Sequence, residues 1–231
     1  MTVLLFDIDG TLLHAGGAGQ AAMELALAEE FDRREKVHGI PTAGRTDRAI
    51  SADLFKFHGL ALTDENIEKF KRAYFQRLPH ALKNLGGAVL PGVPDLLSAL
   101  SRDSHWLLGL LTGNFAEGAA LKLRHFELNP YFGFGAYGDL HVERNDVATI
   151  AWSETQRLRP LAVPEQVWVI GDTPADIACG RAIGAKTLAV ATGFYTLDQL
   201  RICEPDFLCA DLADTEAILD VFRGALPKMA K

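Results

Sequence analysis

Asp7 and Asp9 stand one residue apart in the stretch LLFDIDGTLL, at the end of an apolar run and directly before Gly10 and Thr11. Two carboxylates this close repel, and proteins accept that cost chiefly to bind a cation or to do acid/base chemistry. Gly10 permits a turn directly behind them. Two more stretches offer chemistry. Thr112-Gly113-Asn114 follows the apolar run Trp106 to Leu111 and combines a hydroxyl, a flexible backbone N–H and a helix-capping amide, the makings of an anion nest at a helix N-terminus. Gly171-Asp172-Thr173-Pro174-Ala175-Asp176 follows the run Val167 to Ile170 and places Asp172 at a strand end and Asp176 in the first turn of the next helix. Four carboxylates would then converge at one sheet edge. A hard divalent cation such as Mg2+, which takes oxygen ligands and keeps some of its waters, resolves their repulsion. Singly, each stretch has an ordinary reading as a surface acid pair, a helix cap or a helix-start acid. Their occurrence together, each just behind a predicted strand, is what points to a site.

The elements that must position these residues are legible from periodicity. Val3 to Asp7, Trp106 to Leu111, Gly133 to Tyr137, Val167 to Ile170 and Lys186 to Ala191 are short runs, nearly all apolar on both faces, as parallel strands covered by helices are. Between them lie helical stripes: Leu96, Leu97 and Leu100 in one, Leu121, Leu123 and Phe126 in another, and a third starting at Pro174 behind Thr173 as N-cap. Alternating strand and helix predicts an α/β fold, a doubly wound parallel sheet of Rossmann-like type with right-handed crossovers, and ligands in such sheets bind beyond the carboxyl ends of the strands. One block breaks the alternation. From Gly17 to Leu85 the pattern is helical, with Met23, Leu27 and Phe31 in a first stripe, Ile50, Leu54 and Phe57 in a second, and Ile67, Phe70, Tyr74 and Leu78 in a third that starts with Asp64 and Glu65. We therefore divide the chain into a catalytic core of residues 1–15 and 86–231 and an all-helical insertion of residues 16–85, hinged at HAGGAG and NLGGAVLPG. The tail after Leu226 reads as frayed.

The bulk properties exclude several classes. The chain has 231 residues, is 48% hydrophobic and 23% charged, and carries a formal net charge of −7, which speaks against nucleic acid or an anionic membrane as partner. Cys179, Cys203 and Cys209 show no C-x-x-C spacing and read as reduced thiols of a cytoplasmic protein without a zinc site. The N-terminus has no basic segment before its apolar run, which Asp7 and Asp9 interrupt, so no signal peptide is expected. No stretch is long enough to span a bilayer. The scattered histidines lack metal-ligand spacing, and Trp106, Trp152 and Trp168 read as core or helix-packing residues.

The elements DIDGT, TGN and GDTPAD resemble the motifs of the haloacid-dehalogenase-like (HAD-like) superfamily, specifically its phosphatases. The likeness extends over essentially the whole chain, including a helical cap after the first motif as in the phosphoglycolate-phosphatase-like branch. The resemblance implies that Asp7 is a nucleophile forming an aspartyl-phosphate. It implies that Asp9 is the general acid/base, its backbone carbonyl also touching Mg2+. Thr112 would bind the transferring phosphoryl group, helped by N–H groups near Gly113 and by Asn114. Asp172 would be a direct metal ligand and Asp176 would support the metal directly or through water. The family also needs a cation beside the nucleophile, commonly in a Lys-Pro pair that this chain lacks. Arg144 in GDLHVERNDVATIA is our assignment, a guanidinium fork suiting phosphate. Its competitor is Lys122, for which a solvated mid-helix position is the expected alternative. GRTD, Gly44 to Asp47, looks like the cap loop that reaches over the active site in relatives, so that Arg45 would touch substrate; an ordinary exposed turn is the other reading.

The expected function is Mg2+-dependent hydrolysis of a small phosphorylated metabolite, phosphoglycolate first among candidates, by a monomer or homodimer. The alternatives are a phosphomutase on the same core and a non-enzymatic phospho-accepting module, against which the general acid Asp9 and the large cap argue. The chemistry fits the residues. Phosphate-monoester hydrolysis is slow enough that enzymes reach up to ~10²¹-fold acceleration, positioning supplies only about 7–11 kcal/mol of that, and the rest falls to charge stabilisation and a covalent intermediate.

Overall fold

The computed structural model describes residues 1–224, so the expected frayed tail lies outside the described residues. In chain order the elements are β1 (Thr2–Phe6), β2 (Leu13–His14), α1 (Ala18–Phe31), α2 (Asp47–Phe57), α3 (Asp64–Leu85), β3 (Ala88–Val89), α4 (Val93–Ser101), β4 (Trp106–Leu111), α5 (Ala116–His125), β5 (Phe134–Ala136), α6 (Arg144–Leu158), β6 (Val167–Gly171), α7 (Pro174–Ala182), β7 (Lys186–Val190), α8 (Leu197–Arg201), β8 (Phe207–Cys209) and α9 (Thr215–Arg223).

Six of the strands form one parallel sheet in the order β5-β4-β1-β6-β7-β8. β1 lies between β4 and β6, with Phe6 level with Leu110 on one side and Ile170 on the other. The chain builds outward from β1 through β4 to β5, then restarts on the far side of β1 with β6. That reversal opens a crevice beyond the carboxyl ends of β4, β1 and β6. The even residues of β1, Leu4 and Phe6, pack with α4, α9 and the inserted helices. Its odd residues, Val3 and Leu5, pack with Val147, Ala148 and Ala151 of α6 and Cys179 of α7. This two-sided burial is why the strands read as unbroken apolar runs. Trp106 and Trp168 are buried, and Trp152 packs at the edge of the α6 face.

The block between β1 and α4 is helical as expected, and its two glycine-rich exits, with Gly16, Gly17 and Gly86 at positive φ, lie side by side. Leu13–His14 pairs antiparallel with Ala88–Val89, so a two-stranded ribbon closes the base of the block. α3 runs on past Leu78 to Leu85 despite Pro79. β8, α8 and α9 were not anticipated, β8 being a three-residue edge strand too short to show a period. Among the described residues no helix is long and apolar enough to cross a membrane.

Candidate active site

The site is assembled from the loops behind three adjacent strands. Behind β1 the chain turns at once: Leu12 N–H donates to Ile8 O at 2.9 Å and Gly10 N–H to Leu13 O at 2.9 Å. Gly10 sits at φ +85°, the left-handed region. This turn carries Thr11 under Asp172, whose Oδ1 accepts from Thr11 Oγ1 at 3.1 Å. A side chain at Gly10 or at Gly193, in the loop behind β7, would collide with the Asp172 carboxylate. Two glycines thus make the cradle in which that carboxylate sits. Behind β6, Asp176 and Thr173 form a capping box at the start of α7.

Asp7, Asp172 and Asp176 each offer a carboxylate oxygen, and these atoms lie within 4.8 Å of one another. The Asp9 carboxylate is not part of this group. Burial, and next the neighbouring Asp176, push Asp7 up to about 7, against the pull of Arg144. Asp172 rises to about 8 for the same reasons, with Asp7 adding to the repulsion. Buried oxygen donors that resist ionisation together are a fit for a hard divalent cation: the donor set is all carboxylate, and the glycine cradle keeps Asp172 open.

Two cations divide the site. Arg144, the first residue of α6, is buried, with Nη2 at 2.5 Å from Asp176 Oδ1 and 3.5 Å from Asp7 Oδ1. Burial alone would lower it, but Asp176 and Asp7 hold it above the ordinary guanidinium value. Its buried Nε has no partner among the described residues. Lys122 corrects our expectation of a solvated helix face. It is only 5% exposed, because the face of α5 that carries it packs against the sheet edge and the inserted helices. Its Nζ lies 2.5 Å from Asp9 Oδ2 and 2.7 Å from Asn114 Oδ1. Burial alone would lower this ammonium too; Asp9 and then Asp47 more than offset it and hold it above the usual lysine value. Asn114 joins the two halves of the site, its Nδ2 donating to Asp9 Oδ2 at 2.9 Å and to Thr112 Oγ1 at 2.7 Å. The Thr112 hydroxyl, so held beside Asp7, moderates the rise of that carboxyl.

The GRTD loop is neither an open turn nor a guanidinium aimed freely into the site. Asp47 N–H donates to Gly113 O at 2.7 Å, Asp47 Oδ2 accepts from Phe115 N–H at 2.9 Å, and Thr46 Oγ1 donates to Val142 O at 3.1 Å. The loop is thereby fastened onto the strand ends. Arg45 lines the cavity, but its guanidinium pairs with Asp53 at 2.8 Å and with Pro41 O at 3.1 Å. The structure therefore brings together Asp7, Asp9, Thr112, Gly113, Asn114, Arg144, Asp172 and Asp176, and leaves Arg45 engaged at the rim. Sequence reasoning missed Thr11, Asp47 and the loop Thr192-Gly193, where Thr192 Oγ1 donates to Gly10 O at 2.6 Å. The signal for that last loop is its position: Thr192 and Gly193 stand directly behind an apolar strand, as the residues of the other three motifs do.

Between this edge and the inserted helices lies a cavity of about 280 Å³, lined by Asp7, Asp9, Thr112, Lys122, Arg144 and Asp172 on one side and by residues of α1, α2 and α3 on the other. Comparison with known proteins gives the arrangement a context. A HAD-hydrolase-like family model matches residues 145–215. The chain is 26% identical to a phosphoglycolate phosphatase of Aquifex aeolicus, covering 95% of this chain and 97% of the relative. It is 25% identical to the pyrophosphatase PpaX of Bacillus pumilus, covering 95% and 96%. In fold it is similar to CbbY from Rhodobacter sphaeroides, solved in complex with phosphate, with a TM-score of 0.71 at 20% identity over 93% and 96% of the two chains.

Proposed function

We infer the reaction from two premises: the chain belongs to the haloacid-dehalogenase-like superfamily, in its phosphoglycolate-phosphatase-like branch, and its strand-end aspartates sit in different electrostatic settings. The second premise carries the reading. Asp7 is buried among acids and faces Arg144, whereas Asp9 is half-exposed and is gripped by Lys122 and Asn114. We propose a Mg2+-dependent phosphatase in which the two do separate work on one phosphoryl group. A carboxylate oxygen of Asp7 attacks phosphorus and the bond to the leaving alcohol breaks. Asp9 delivers its proton to the departing oxygen. In the second half Asp9 takes a proton from water, whose oxygen attacks the phosphorus of the aspartyl-phosphate, and inorganic phosphate leaves with Asp7 regenerated. Thr112, the Gly113 N–H, Asn114 and Arg144 bind the transferring oxygens. Asp7, Asp172 and Asp176, with the backbone carbonyl of Asp9, would hold Mg2+, which supplies the positive charge that keeps the carboxylates ionised and offsets charge on the phosphoryl oxygens.

In this reading residues 16–85 are a cap that opens to admit substrate and closes to exclude water, with Arg45 at its rim. The free thiols and a net charge of −7 accord with a cytoplasmic enzyme for a small phosphorylated metabolite, acting as monomer or homodimer without nucleic-acid or membrane partners. The names of the relatives make phosphoglycolate the first compound to assay. Phosphate release from p-nitrophenyl phosphate and a metabolite panel, with Mg2+ and with EDTA, tests the proposal. Asp7→Asn keeps the shape and removes one of the mutually repelling charges, so it should fold, as a thermal melt will check. Mg2+-dependent release that vanishes in this variant is the expected result. Release that survives it in a folded protein would overturn the assignment of the nucleophile.

A further inference from the structure

The cavity has two unlike sides, and only one is accounted for by phosphoryl transfer. Away from Asp7 its wall is made by Met23 of α1, Val37 and Ile40 of the connection to α2, Ile50 and Leu54 of α2, and Tyr74 of α3. At the mouth stands Phe194, next to the Gly193 that cradles Asp172, with 79% of its surface exposed. A large aromatic left in solvent at the rim of an apolar cavity is the kind of surface that ligands cover.

Charge gives the complementary half of the argument. Each cation that lines the cavity already faces a carboxylate: Arg144 has Asp176 and Asp7, Lys122 has Asp9, and Arg45 has Asp53 at 2.8 Å. Arg144 and Lys122 belong to the phosphoryl side. On the apolar side the other ionisable side chains are the acids Glu24 and Asp47, the buried phenol of Tyr74 and the imidazole of His14, which stands exposed at the end of β2; Asp47 is buried with its Oδ2 already accepting from Phe115 N–H. A second anionic group on the substrate would be desolvated there without a buried, unpaired counter-ion and beside like charges, which is expensive.

We propose that the leaving-group side of this cavity selects an uncharged, apolar alcohol, a compact ring or branched alkyl group, in preference to one bearing a carboxylate or a second phosphate. The inference rests on the phosphatase reading and specifies its substrate class. The ring of such an alcohol would lie against Met23, Ile50 and Leu54, with Phe194 closing over its outer edge. The same shortage of free cations disfavours a phosphomutase, which must rebind a doubly phosphorylated intermediate.

The test uses the full chain with Mg2+ and three alkyl esters whose departing oxygens are all aliphatic: ethyl phosphate, cyclohexyl phosphate and 2-phosphoglycolate. We expect kcat/KM for cyclohexyl phosphate to exceed that for ethyl phosphate by about tenfold or more, the scale on which apolar pockets discriminate added methylenes. We expect 2-phosphoglycolate to fall below ethyl phosphate. Phe194→Ala, at an exposed position that tolerates truncation, should lower the cyclohexyl-to-ethyl ratio several-fold, and Met23→Gln should do the same from the other wall. A ratio at or below one, a ratio unmoved by both variants, or a preference for 2-phosphoglycolate over ethyl phosphate would each overturn the inference while leaving the phosphatase reading intact. Turnover of none of the three, nor of p-nitrophenyl phosphate, would overturn the phosphatase reading and this inference with it.

Discussion

At the scale of single residues, the site is organised by two cations where one was sought. Sequence posed Arg144 and Lys122 as rivals because the family calls for a cation beside the nucleophile and because a lysine in mid-helix is ordinarily solvated. The fold buries both and gives each a different aspartate: Arg144 at 3.5 Å from Asp7, and Lys122 at 2.5 Å from Asp9. Lys122 then acts as a positioning residue for the proposed acid/base, holding the Asp9 carboxylate between its ammonium and the Asn114 amide. Removing that charge frees Asp9, which is half-exposed, to turn toward solvent and regain water, while the buried Asp47 loses its cation but keeps the Phe115 N–H and, its carboxyl being pushed up, can take up a proton. Lys122→Met is therefore expected to lower kcat for phosphate release by roughly 10²-fold, the order of an acid/base contribution, without abolishing folding. The residues act as a unit, so Asp9→Asn combined with Lys122→Met should cost little more than Asp9→Asn alone in a double-mutant cycle. Additive losses would show that Lys122 works on some other group.

At the scale of elements, the attachment of α2 to α5 is the joint between the inserted helices and the sheet edge. Asp47, the first residue of α2, donates its N–H to Gly113 O and receives the N–H of Phe115 at the head of α5, so one residue bridges the beginnings of two helices. Burial pushes the Asp47 carboxyl up to about 6, with Lys122 and the Phe115 N–H pulling the other way. A carboxyl whose pKa is higher folded than unfolded contributes stability that is complete below about pH 4 and is lost as pH rises through about 6, since the folded state then gives up a proton it had held. Asp47→Asn keeps an acceptor for Phe115 and removes this titration. Its stability should consequently fall less between pH 4 and 7 than that of the parent, by about 1–3 kcal/mol at one pKa unit per 1.36 kcal/mol, as urea unfolding at the two pH values will measure. An unchanged slope would place the carboxyl in an ordinary environment. This joint also marks the limit of what could be read beforehand. The strands with two-sided apolar runs, the helices with clean stripes and the acids behind β1 and β6 were legible because each has a local period or punctuation. The ribbon β2–β3, the short β8 and the docking of Asp47 on Phe115 were not, because they are fixed by partners 68 or more residues away in sequence or by edges too short to carry a pattern.

At the scale of the whole molecule, the carboxylate cluster sits at the carboxyl ends of β1 and β6, next to the sheet's central strand, so its electrostatics act on the stability of the entire core. Asp7 and Asp172 are pushed up to about 7 and about 8 by burial and by the acids beside them. Without a cation each therefore opposes folding progressively as pH rises from the usual carboxylate range near 4 through 7 to 8, where both must ionise against burial and repulsion. A divalent cation that binds only the folded chain reverses this, and by mass action it contributes about 2.7 kcal/mol at one hundred times its Kd, or a rise of roughly 5–10 °C in Tm for a chain of this size. Melting curves with Mg2+ and with EDTA should thus diverge as pH increases from 5 to 8, the EDTA curve falling and the Mg2+ curve holding. Asp172→Asn separates the two effects, because it removes one repelling charge and one ligand at once: its Tm in EDTA at pH 8 should rise above the parent's, and the Mg2+ shift should shrink or vanish. A variant that melts lower than the parent in EDTA would mean that Thr11 and the glycine cradle hold Asp172 for packing and not for a cation. The pH at which the parent's two curves part company reads out how strongly the fold forces these acids together for the proposed chemistry.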